Sequence, residues 1–114
     1  MQVLRDEVEV GRVKFHDRKM SLRSYGVERG IAAKALDIGF FEVSNARRRT
    51  GIGTDMVRGL EARHPDRILI AFSEGADDFW GSVGWRQYVH LTDPRFHRTL
   101  FTKTDAQLSV VRLR

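Results

Sequence analysis

The segment 48-RRTGIGT-54 sets two arginines and two threonines around a Gly-x-Gly pair, directly ahead of an amphipathic stretch. That combination suits an anion. A helix N-terminus leaves about four backbone N–H groups unpaired, and a phosphate takes them readily. Gly51 and Gly53 would let the chain turn tightly and let phosphate oxygens approach with no Cβ in the way. Thr50 and Thr54 would add hydroxyl donors, and Arg48 and Arg49 charge-assisted hydrogen bonds. The common phosphate loops do not fit: a P-loop needs a lysine after its glycines, and GxGxxG needs glycine where Met56 stands. What remains, Arg-x-x-Gly-x-Gly, suits a diphosphate, and a tight strand-to-helix connection accounts for the glycines as well.

Acid–base chemistry needs a titratable group near such a loop. Glu42 lies in the apolar run 35-ALDIGFFEVS-44, and Glu74 follows 67-RILIAFS-73, whose last residue, Ser73, offers a hydroxyl. Glu42 alternates with Phe41 and Val43, so a polar strand face accounts for it equally well. The four histidines show neither HxH nor HExxH spacing, and there are no cysteines, so no metal site is expected. Without cysteine, thiol chemistry is excluded.

The elements that would position these residues follow from periodicity and punctuation. Met56, Val57 and Leu60 fall at helical spacing after the glycines, with Asp55 at the positive end of the helix dipole and His64-Pro65 as a stop. The run 67–73 reads as a short buried strand, parallel to the strand before the helix. The segment 7-EVEVGRVKFHD-17 alternates as a strand, and a turn at Asp17-Arg18-Lys19 leads into 20-MSLRSYGV-27, together a hairpin. Gly30 breaks the pattern before the central strand. A short helix fits 76-ADDFWGSV-83 with Gly84 as its left-handed cap. Strands are expected at 85–91, 97–103 and 107–113. The order ββ-β-α-β-α-β-β-β implies one α/β (α+β) domain over 1–114, built on a mixed, mostly antiparallel sheet with a central β-loop-α-β unit.

The bulk properties set limits. A chain of 114 residues supports one core. With 41% hydrophobic and 31% charged residues it has an ordinary globular composition. No run approaches a membrane span, and the N-terminus is charged from its fifth residue, unlike a signal peptide. A cytoplasmic location and no membrane partner are the expectation. Net charge is +5, and sixteen of the 20 basic residues are arginine. That excess fits phosphate or nucleic acid contact, and fits arginine-rich codon usage equally.

In the motifs 48-RRTGIG-53 and 76-ADDFWGSVGW-85 the chain resembles the GCN5-related N-acetyltransferase family over about residues 8–103. Those motifs correspond to its [QR]-x-x-G-x-[GA] loop and its A-x-x-F-[YW]-x-x-x-G-[FW] signature. The resemblance implies acetyl-CoA as co-substrate. Arg48, Arg49, Thr50, Gly51, Ile52, Gly53 and Thr54 would cradle the pyrophosphate. Phe41 to Val43 would bind the pantetheine through the backbone, and the strand ending at Ser73 would splay away to admit it. It also implies direct attack of an amine, with Glu42, Glu74 or Ser73 as catalytic candidates. Trp80 stands at the cofactor where many members carry a tyrosine acid. The acceptor lid that usually precedes the first strand pair is not expected, which favours a protein or nucleic acid acceptor. A second reading is a catalytically inactive CoA-binding or interaction module of the same fold; a third is modification of nucleic acid. The C-terminal 108-LSVVRLR-114 could pair across a homodimer.

Overall fold

The computed structural model describes residues 1–48 and 50–104. Its strands are β1 (Gln2–Arg5), β2 (Val8–His16), β3 (Ala35–Val43), β4 (Ile68–Phe72), β5 (Arg86–Tyr88) and β6 (Leu100–Thr102). Three helices, α1 (Arg29–Lys34), α2 (Ile52–Arg63) and α3 (Asp77–Ser82), are interspersed. One six-stranded sheet runs in the order β1-β2-β3-β4-β6-β5. Its pairs are antiparallel except β3 and β4, which run parallel and are joined through α2. The mixed, mostly antiparallel sheet with a central strand-loop-helix-strand unit is therefore present.

Amphipathicity decides where the layers sit. On α2 the buried residues are Ile52, Met56, Val57 and Leu60, one stripe at helical spacing. That stripe packs with Leu36, Leu69 and Phe101 of the sheet, and α3 adds Trp80 to the same core. The opposite face carries a smaller core around Ile70 and Leu100, closed by Leu22 and Val27 from the segment between β2 and β3. Leu69 and Ile70 are both fully covered, each serving a different face. Burial on both faces is what a continuous apolar run such as 68-ILIAF-72 requires.

The N-terminal half departs from expectation. The hairpin joins β1 to β2, not 7–17 to 20–27. Its turn uses Asp6 and Glu7, both at positive φ (53° and 66°). Two positive φ values match the twist of a two-residue hairpin turn, but Asp-Glu lacks the glycine that usually announces it. Residues 20–27 form no strand: a 3-10 turn at Arg23–Tyr25 ends on Gly26 at φ 72°. Leu22 and Val27 are buried because they plug the second core. Gly30 lies inside α1 instead of breaking the chain. The remaining elements stand near their expected places, with shorter strands at 86–88 and 100–102. The strand expected at 107–113, and any dimer contact through it, lies outside the described residues.

Strand β3 carries one irregularity that matters below. Lys14 pairs with Phe40 but Phe15 pairs with Ile38, so Gly39 is an extra, bulged residue. A one-residue slip exchanges the faces of a strand. Leu36 and Ile38 before the bulge, and Phe41 and Val43 after it, consequently all reach the α2–α3 core.

Candidate functional site

Strand β3 is paired on both edges only at its start. Its parallel register with β4 runs Ala35↔Ile68, Leu36↔Leu69 and Asp37↔Ile70, and ends there. Both strands continue, β3 to Val43 on β2 and β4 to Phe72 on β6. From Ile38 onward the β4-side edge of β3 has no strand partner among the described residues. Six residues of free edge are roughly 20 Å at the usual strand rise. The two strands part at Asp37, and the far end of the free edge leads into the glycine loop.

That loop turns β3 into α2. Gly51 is the helix N-cap at φ 83°, a left-handed conformation that side chains resist. No side chain caps this helix. Asp55 N–H makes the first helical bond, to Gly51 O at 3.1 Å, which leaves the Ile52, Gly53 and Thr54 N–H groups ahead of the helical ladder. Arg48 is exposed and its Nε donates to Val43 O at 3.4 Å, folding it back over the end of β3. Arg49 lies outside the described residues. The Thr50 hydroxyl donates to Arg47 O, so it closes the loop on itself. Ile52 is buried in the core. A Cβ on Gly53 would stand 2.9 Å from the Phe79 ring, so this glycine lets α2 pack on α3.

At the other end of the free edge lies one of two buried side chains with an unbonded polar atom among the described residues, the other being His64. Asp37 is 4% exposed, and its Oδ1 has no hydrogen-bond partner. The nearest cation, Arg18 Nη2, stands 3.8 Å from Oδ2. Burial pushes the Asp37 carboxyl above its ordinary range, against the opposing pull of Arg18 and, less, of His16. Asp37 lines a cavity of about 550 Å³ in the fork between the strands, walled by His16, Arg18, Gly39, Phe72 and Arg98. The Gly39 bulge makes room here: a Cβ on Gly39 would occupy the place of the His16 ring. A buried carboxylate with one oxygen left without a hydrogen bond, at a cavity, is where acid–base chemistry is sought.

The carboxylates expected from sequence sit elsewhere. Glu42 is exposed and faces Arg12 across the β2–β3 pair. The Glu74 side chain is 77% exposed and ion-paired with Arg98 Nη1 at 2.8 Å, so it reaches the cavity only through that arginine. Ser73 is buried, and its Oγ accepts from Ala76 N–H at 3.1 Å, shaping the turn into α3. Trp80 is 5% exposed and stacks on Trp85 at 4.7 Å, with Phe41 and Phe79 edge-on to it. Its place is the core beneath the free edge of β3. Phe41 and Val43 pack on that core with their side chains, so only their backbone faces the fork.

Two residues escaped notice in the sequence. Asp37 is a single acid in an apolar run, and only the parting of β3 from β4 makes it special. Glu61 is a second: its Oε2 accepts from Trp85 Nε1 at 3.0 Å, and its carboxylate also holds Arg58, which donates to Val83 O at 2.8 Å. Glu61 thereby ties α2 to the segment after α3, and nothing in its spacing signals that. Among the described residues no group of acidic or histidine side chains could hold a metal ion. No helix is long and apolar enough to cross a membrane. No family model matches the chain, and no curated protein matches it.

Proposed function

We propose that the chain is an acyl-CoA-dependent N-acyltransferase of the GCN5-related type, using acetyl-CoA and transferring its acetyl group to an amine. The observation that carries the reading is the fork between β3 and β4, with an uncapped helix N-terminus at its mouth and a buried carboxylate at its base. Unpaired N–H groups and arginine at the mouth suit a pyrophosphate. The free edge of β3 offers backbone groups to an extended amide chain, as a sheet edge does to an added strand. Such a chain, anchored at the loop, would bring its acyl end to the fork beside Asp37.

The amine acceptor enters the cavity walled by His16, Phe72 and Arg98. Asp37 takes a proton from the incoming ammonium and leaves a neutral amine, and burial suits it to that task by raising its proton affinity. The nitrogen lone pair attacks the thioester carbon, the C–N bond forms and the C–S bond breaks. The proton left on the new amide nitrogen ends on the departing CoA sulfur. Glu74 acts at one remove, by fixing Arg98 at the cavity wall.

Isothermal titration with acetyl-CoA and with CoA tests the reading first. Micromolar affinity is expected. Arg48→Ala combined with Arg49→Ala should weaken it on the order of ten-fold or more, the worth of lost charge-assisted bonds. No binding at roughly 100 µM protein, well above the expected Kd, sinks the proposal.

A further inference from the structure

Between β2 and β3 the chain takes a detour. Residues 17–34 pass through the 3-10 turn and α1, and with Arg67 they wall a groove of about 710 Å³. Met20, Leu22, Val27 and Ala32 contribute apolar surface to it. Arg18, Lys19, Arg23 and Arg29 contribute charge, and all four are exposed. Asp17 is the one acid among the described lining residues, and Arg67 already holds it through bonds of 2.8 and 3.2 Å. Lys19, Arg23 and Arg29 enter no ion pair among the described residues. Asp17 and Arg18 also line the cavity that holds Asp37, so the two spaces share a wall.

From this juxtaposition we infer that the groove receives an acidic polypeptide segment and delivers that segment's amine to Asp37. The delivery step rests on the transferase reading; the docking does not. Three uncompensated cations select a negative partner and steer its approach. Their apolar floor selects one that also offers carbon surface. A small amine would occupy the cavity of about 550 Å³ and leave the cations of the groove unmatched. Single-stranded nucleic acid is the wrong chemistry: its bases stack on aromatic side chains, and no aromatic residue lines the groove among the described ones. Extended polypeptide meets both demands, with carboxylates on the arginines and its own apolar side chains on the floor.

The test is fluorescence anisotropy with a labelled oligoglutamate peptide ending in lysine, its glutamine counterpart, and labelled oligothymidylate. The oligoglutamate should bind best and weaken with added salt. Arg23→Glu with Arg29→Glu should reduce its affinity on the order of ten-fold or more, while acetyl-CoA affinity and the melting temperature stay unchanged. With acetyl-CoA present, CoA release should be faster on the oligoglutamate-lysine peptide than on the glutamine one. The inference is overturned if glutamine and glutamate peptides bind alike, if the charge reversal has no effect, or if oligothymidylate binds more tightly. Oligoglutamate binding that persists in a protein unable to bind acetyl-CoA keeps the groove and removes only the transferase reading.

Discussion

From Ala35 to Ile38 every residue of β3 is buried, whereas from Gly39 to Val43 none is. The sequence does not announce the boundary, since the apolar run continues through Phe40, Phe41 and Val43. The difference is one of neighbours. The first half lies between β2 and β4, with a core on each face; the second keeps β2 and loses β4. One strand thus supplies both a fully buried stretch of the sheet and, among the described residues, an open interior edge. The bulge at Gly39 marks the change and resets the faces, so the aromatic core is maintained underneath while the edge stays free. A site with a rigid base and an accessible rim needs that kind of division.

The largest effect is expected at the boundary between the two halves. Asp37→Asn should reduce turnover by roughly 10²-fold or more, the usual worth of a positioned base, with little change in acetyl-CoA affinity. The same change should stabilise the fold near neutral pH. Burial raises the Asp37 carboxyl, so the folded state binds its proton more tightly than the unfolded state does. Stability therefore falls as pH rises from the ordinary Asp value of about 3.9 through the raised one, and the penalty persists above it. The melting curves of wild type and Asp37→Asn should converge as pH drops below about 4. A variant less stable than wild type at neutral pH would show that the ionised carboxylate is well solvated.

Next in size is the paired half. Leu36, 3% exposed, should cost about 2–5 kcal/mol on change to alanine, read by denaturant unfolding. Phe40, 46% exposed on the free half, should cost under roughly 0.5 kcal/mol on the same change. Equal losses at the two positions would mean that the free half is covered in solution. Smallest of all should be Glu42→Gln: with Glu42 on the outer face opposite Arg12, neither turnover nor acetyl-CoA affinity should move measurably. A loss of turnover there would return the base to Glu42 and leave Asp37 a structural acid.

Much of the fold was legible because it rests on local rules. Helix α2 was readable from Met56, Val57 and Leu60 at helical spacing, α3 from its acidic start and Gly84 cap, and β4 from its short apolar run. The first hairpin was not, because Asp6 and Glu7 take positive φ without a glycine to signal it. Residues 20–27 misled because Leu22 and Val27 are apolar for the sake of the second core and not through strand alternation. For the site, the glycine loop was readable, since Gly51 must adopt a conformation that glycine alone takes easily. Glu42 and Glu74 stand out by proximity along the chain, and proximity along the chain says little about which carboxylate is dry.

By itself, the sequence determined the order of the central elements, the helix start after the glycine loop and the absence of thiol chemistry. These depend on periodicity, on backbone conformation and on which atoms are present. Only the tertiary structure decided that β4 leaves β3 after Ile70, that Asp37 rather than Glu42 is buried with an oxygen left unbonded, and that Lys19, Arg23 and Arg29 rim one groove. Pairing distance, desolvation and charge proximity are sums over residues far apart in the chain, and they take their values only once the sheet has closed around them.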